Sequence, residues 1–274
     1  MTAVGHDHRP GPSSPAPGLS DAVAAEWSKL RSCPAGRRLV VTALALAVLG
    51  AAAFTLTTTV TDGRTLAELD PHDRMVIPLL GVDLSNIIMI ILAVVAISGE
   101  LASGMTALTL QITPRRRTVL AAKLLVLLGV GCAVSVGSVA LAFGTGQLIM
   151  LSQGLPLLFL TDPTVLRLLL GTLLMVPLHL IFGATLAFCL RGAGQAVVGV
   201  FVIMCLPSLA RLLPGGLGDS LQWLLPSPSL HTLSGASRVG DRDYTDPITA
   251  VLVLTAWVVL LTALAMRAFR RRDL

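Results

Sequence analysis

VLAAKLLVLLGVGCAVSVGSVALAFGTG, residues 119–146, carries one charged side chain, Lys123, near its start. A soluble helix of that length needs a polar face, and this stretch has none. About 20 apolar residues cross a hydrocarbon core ~30 Å thick, so the stretch reads as a membrane-spanning helix. Working outward in both directions, further apolar runs of spanning length occupy about 39–60, 75–98, 164–190, 195–213 and 247–266. The second run is the most interrupted, by Pro78 and Asp83. Composition points the same way: 54% of residues are hydrophobic and only 13% are charged, against roughly 25% charged in a soluble domain. Aromatics make up 4%, so the apolar content is Ala, Leu, Val and Ile. The chain is therefore expected to be an all-α integral membrane protein with six transmembrane helices.

The polar remainder sets the topology. Residues 1–18 are rich in Pro, Gly and Ser and read as a disordered tail, not a signal peptide, because no apolar run follows at the usual distance. Residues 19–32, LSDAVAAEWSKLRS, place Leu19, Val23, Trp27 and Leu30 on one helical stripe, with Glu26, Lys29 and Arg31 opposite. That pattern predicts an amphipathic helix in the membrane interface. Fourteen of the 20 Lys and Arg residues lie before the first span, between spans two and three or at the start of the third, between four and five, or after span six. Basic residues concentrate on the cytoplasmic side, so both termini are expected inside. On the other side, 61–74 is polar and acidic, while 147–163 is apolar enough to lie in the interface. The stretch 206–232 holds short apolar pieces split at Pro214-Gly215-Gly216 and Pro226. Pieces that short cannot span, so re-entrant or interfacial helices backed by protein are expected before the last span.

Catalytic chemistry finds no support. The only lysines are Lys29 and Lys123, and neither follows a glycine, so no GxxxxGK[ST] loop for ATP exists. Cys33, Cys132, Cys189 and Cys205 have neither disulfide nor zinc-site spacing. Gly235-Ala236-Ser237 has no paired base, and no HExxH motif occurs. No catalytic residue, cofactor or metal is assigned. The net charge of +5 sits at span ends, not on a solvated face, so nucleic acid is not an expected partner. Among ionisable groups in or beside spans, Asp83 and His179 are the pathway candidates. His179, beside Pro177, either lines a polar pathway or bonds the helix backbone that the proline frees. Ser138, Ala142 and Gly146 repeat every four residues, as do Ala140 and Gly144, which suits close packing of the third span.

Residues 97–123, ISGELASGMTALTLQITPRRRTVLAAK, join spans two and three. Glu100 stands at the membrane boundary, where a carboxylate is expected to pair with a cation, such as an arginine of a partner or the N-terminal helix. This layout resembles the ABC-2 type transporter permeases, particularly small actinobacterial members. The resemblance runs from about residue 19 to the end. It is carried by Glu26-Trp27-Ser28-Lys29-Leu30-Arg31-Ser32 before the first span and by Gly99-Glu100 with Gly104. Pro114-Arg115-Arg116, Ala122-Lys123 and the terminal Phe269-Arg270-Arg271-Arg272-Asp273 complete it. Leu101 stands where many relatives carry an aromatic.

The resemblance implies a permease subunit of an ATP-driven exporter in a bacterial plasma membrane, multi-pass, with both termini cytoplasmic. Two permease copies would form the pathway, and separate cytoplasmic ATPases would hold ATP and Mg. It also implies coupling to the ATPase through Glu26, Trp27, Lys29 and Arg31, and through Glu100, Ser103, Gly104, Arg115, Arg116 and Arg117. The alternative is a six-helix scaffold or immunity protein that transports nothing. Co-purification of an ATPase separates the two.

Overall fold

The computed structural model describes residues 18–61, 63–190, 192–210, 212, 221–241 and 244–271. The tail 1–17, Pro214-Gly215-Gly216 and Arg272-Asp273 lie outside the described residues. Among the described residues every regular element is a helix. An N-terminal helix α1 (Leu19–Ser32) precedes α2 (Pro34–Leu56), and one turn, α3 (Thr58–Thr61), follows it. Then come α4 (Pro71–Leu79), α5 (Gly81–Ala102), the short α6 (Met105–Ile112) and α7 (Arg116–Ser152). α8 (Pro163–Thr172), α9 (Met175–Cys189), α10 (Ala193–Ala210), α11 (Pro226–Ser234) and α12 (Pro247–Arg271) close the order. Six helices or helix pairs are long and apolar enough to cross a membrane: α2, α4–α5, α7, α8–α9, α10 and α12. The chain is an all-α, six-span membrane protein.

Small residues let the helices approach where no hydrophobic effect drives them together. α5 is central and packs on α2, α7, α9 and α10. Where α2 crosses α5, a Cβ on Gly81 would lie 2.3 Å from the Ala47 carbonyl oxygen. On α7, Ser138 meets Ser85 hydroxyl to hydroxyl at 2.8 Å, Ala142 is fully buried, and Gly146 packs against the Pro78 ring. That stripe works as expected. The parallel Ala140/Gly144 stripe finds no partner at Gly144 among the described residues, since a Cβ there would meet nothing within 4 Å.

Two spans break, each near a proline. The second divides at Leu80, two residues after Pro78, and the fourth at Leu173-Leu174, four before Pro177. Proline has no N–H for the carbonyl four residues back. The Leu173 carbonyl left without its helix bond accepts one from Ser135 Oγ of α7 (2.8 Å). On α2, Thr55 and Thr57 bond the carbonyls of Ala51 (2.6 Å) and Ala53 (2.7 Å), so this cluster closes its own helix at the end of the span.

The bundle has two chemically distinct ends. One gathers α1, α6, the start of α7 and the last turn of α12. The other gathers the loops after α3, α7 and α11. There Arg238 reaches Asp70 (2.7 Å) and Asp73 (3.3 Å), and His72 Nε2 lies 2.9 Å from the Gly235 carbonyl. In the 63–70 turn the Thr65 N–H donates to Glu68 Oε2 (2.8 Å), which holds that carboxyl below its usual range. The segment 147–163 differs from expectation. Its first six residues continue α7, and the Gln147 amide then clamps the returning chain, accepting from Leu158 N (3.2 Å) and donating to Leu158 O. α11 fits expectation: at nine residues, about 13 Å, it is too short to span, and α8 and α12 back it. It crosses so close to α8 that a Cβ on Gly171 would lie 2.0 Å from Leu233 O.

Candidate functional site

α1 docks with its charged face inward. Ala22 and Glu26 are buried while Leu19 and Trp27 stand exposed. The stripe is where the spacing put it, but Leu19 and Trp27 face away from the protein, while Leu30 at its end packs on the core. In a membrane the apolar face has lipid for a neighbour, whereas a carboxylate needs a partner. The partners are the chain's two lysines. Lys123 Nζ on α7 lies 2.6 Å from Glu26 Oε2 and 2.6 Å from Glu100 Oε2 at the end of α5. Lys29 Nζ lies 2.6 Å from Glu26 Oε1 and 3.6 Å from Glu100 Oε2. The four charges form a closed ring of alternating sign with no formal excess.

The ring is graded in burial. Glu26 and Lys123 side chains are 6% exposed, Glu100 15% and Lys29 28%. Buried ion pairs seldom add net stability, because desolvation offsets attraction, but leaving one member unpaired is expensive. The ring therefore fixes where three helices sit relative to one another. Glu100 does pair with cations, as its position required, but they are the chain's own lysines and not an arginine. Sequence reading passed over Lys123 as a site residue, counting it as topological charge and as half of the Ala122-Lys123 pair. Its signal was chemical type: just two of the 20 basic residues are lysine.

Around the ring opens a cavity of about 530 Å³ between α1, α2, α5 and α7, walled by side chains such as Leu39, Leu92 and Val95. Beyond it the chain turns at Ser103 and Gly104, both exposed, with Gly104 at φ 74°, a left-handed conformation that favours glycine. α6 then runs with Met105, Leu108 and Ile112 exposed, the last two at 61% and 72%. These positions share one helical stripe. A side-chain bond from Lys29 Nζ to Thr109 Oγ1 (3.3 Å) ties α6 to the ring.

The three arginines after α6 differ. Arg115 and Arg117 are exposed. Arg116 is engaged at the end of α12, donating to the carbonyls of Phe269 (2.6 Å) and Arg270 (3.1 Å), with its guanidinium 5.7 Å from the Phe269 ring centre. A cation on the last carbonyls of a helix meets the negative end of its dipole, so Arg116 is a staple for α12. Arg31 is exposed beside Trp27.

The two pathway candidates come together, about 25 Å along α5 from Glu100 by helical rise for Asp83. Asp83 and His179 line one cavity of about 220 Å³ with Asn86 and with His231 of α11. His179 Nδ1 lies 2.7 Å from the Met175 carbonyl. The histidine does bond its own helix, although the carbonyl that Pro177 frees is Leu173's, taken by Ser135. No protein-family model matches the chain, and no curated protein matches it.

Proposed function

We propose that this chain is the membrane subunit of an ATP-driven exporter of the ABC-2 type. Two copies would form the pathway in a bacterial plasma membrane, with both termini cytoplasmic. A separate cytoplasmic ATPase would bind ATP and Mg and drive the cycle. One observation carries the reading. α6 projects an exposed apolar stripe, Met105/Leu108/Ile112, from the basic end of the bundle, and Thr109 and Lys29 connect it to the charge ring shared by α1, α5 and α7. A protein that grips that stripe would pull on three helices at once. Rigid-body gating needs such a firm handle, because packed helices shift as units.

The basic flanks of the spans support the orientation. The absence of a nucleotide-binding loop in the sequence is what a subunit driven by a separate ATPase requires. The test is retention of a partner. The tagged chain, solubilised in mild detergent, is expected to bring down an ATPase, and Leu108→Asp with Ile112→Asp is expected to release it without loss of membrane insertion. An ATPase held equally well by that double variant refutes α6 as the docking site. No ATPase under any gentle condition favours the scaffold reading.

A further inference from the structure

Among the described residues no Lys or Arg lines the cavity around Asp83. Asp83 makes no ion pair among the described residues. Its carboxylate receives one hydrogen bond there, from Asn86 Nδ2 at 3.2 Å. Asn86 is only 3% exposed and its Oδ1 is buried, so the amide positions the carboxylate and is itself out of a ligand's reach. His179 adds a second acceptor. The Met175 carbonyl can only accept, so Nδ1 carries the proton and Nε2 of the neutral ring has a free lone pair.

The walls between these groups are apolar: Ile87, Ile90, Met175, Phe201 and Met204. Among the described residues no cluster of His, Cys, Asp and Glu is arranged to hold a metal ion. A ligand that suits the place must bring N–H donors and a positive charge on a compact organic body. We propose that the cavity binds a primary ammonium group on a small apolar body, its N–H groups donating to Asp83 and His179 Nε2. Phe201, on the exposed outer side of α10, gives the organic part a way in from the membrane. At about 220 Å³ the space takes roughly seven water-sized groups of ~30 Å³ each, enough for a small aralkylammonium head. As a station on a transport path, the site rests on the function proposed above; as a binding site, it does not.

The experiment uses the full chain alone in lipid nanodiscs, with empty nanodiscs as the blank, and titrates phenethylammonium by calorimetry. Its N-trimethyl analogue keeps the charge without the donors, and 2-phenylethanol keeps the body without the charge. Saturable binding of one phenethylammonium per chain is expected, weaker for the trimethyl analogue and absent for the alcohol. Asp83→Asn is expected to weaken phenethylammonium binding at least about tenfold, the size of a lost charged hydrogen bond. Met204→Trp, which fills the cavity from α10, is expected to abolish it. No saturable binding to the wild-type chain, equal binding of the alcohol, or unchanged affinity in either variant overturns the proposal. If Asp83→Asn fails to insert, Met204→Trp decides alone. Phenethylammonium binding by a chain that never couples to an ATPase keeps the site and sinks the exporter. ATPase-driven export that Asp83→Asn leaves untouched sinks the site and keeps the exporter.

Discussion

Replacing Lys123 with Met removes the cation that bridges Glu26 and Glu100 and leaves a buried and a mostly buried carboxylate with one lysine. Breaking a buried pair from one side costs about 3–5 kcal/mol. Lys29 already touches both glutamates, at 2.6 and 3.6 Å, and offsets part of that cost, which places the expected loss near the lower limit, about 3 kcal/mol. At roughly 2–4 °C per kcal/mol for a chain of about this size, the unfolding midpoint in nanodiscs should fall by about 6–12 °C. Lys29→Met should cost no more than about 1 kcal/mol, because its side chain is 28% exposed and water screens the pair. The decisive arm is the double variant. Lys123→Met with Glu100→Gln leaves Glu26 and Lys29 as a neutral pair, so it should be more stable than Lys123→Met alone by more than about 1 kcal/mol, the coupling expected of residues in one network. Tryptophan fluorescence against temperature reads all four proteins. If Lys123→Met costs less than Lys29→Met, or the second substitution lowers stability further, the four charges do not act as one closed ring.

Arg116→Ala should free the end of α12, losing about 1–2 kcal/mol for its charged hydrogen bonds and speeding amide exchange over 266–271, whereas Arg115→Ala and Arg117→Ala should stay within about 0.5 kcal/mol of wild type. Gly171→Ala should push α11 off α8, because the new Cβ would fall 2.0 Å from Leu233 O, at a cost of about 3 kcal/mol or more. Gly144→Ala, which meets nothing within 4 Å, should stabilise by up to ~1 kcal/mol in the same thermal assay. In a cysteine-free background, an impermeant thiol reagent applied to intact cells should label Asp70→Cys and Asp241→Cys but not Arg115→Cys or Arg271→Cys. Labelling of Arg115→Cys from outside would invert the orientation.

The spans were legible because six apolar runs of spanning length leave a chain no other way to bury itself. Their breaks were half legible: Pro78 and Pro177 marked them, but the turns fall at Leu80 and Leu173-Leu174, inside apolar sequence that looks continuous. The amphipathic stripe of α1 was legible and its direction was not. In water Leu19 and Trp27 would turn inward; beside lipid they have nothing to gain by it, and Glu26 takes the inner place. Lys123 was hidden by its company, a lysine read as one more positive charge after Arg115, Arg116 and Arg117. The meeting of Asp83, His179 and His231 was beyond reach, since nothing local relates residues that far apart in sequence. Ser135 likewise gave no hint that it answers a carbonyl freed by Pro177.

If a docked ATPase drives this chain, as proposed, the charge ring carries force from it to the membrane helices. ATP hydrolysis in proteoliposomes tests it most directly, measured for the free ATPase, for its complex with the wild-type chain and for its complex with Glu100→Ala. That substitution leaves the α6 stripe intact while detaching α5 from Lys123. The account predicts that the wild-type chain stimulates hydrolysis and that Glu100→Ala retains the bound ATPase but loses the stimulation. Stimulation that survives undiminished in Glu100→Ala, or hydrolysis that never responds to the membrane chain, would contradict it.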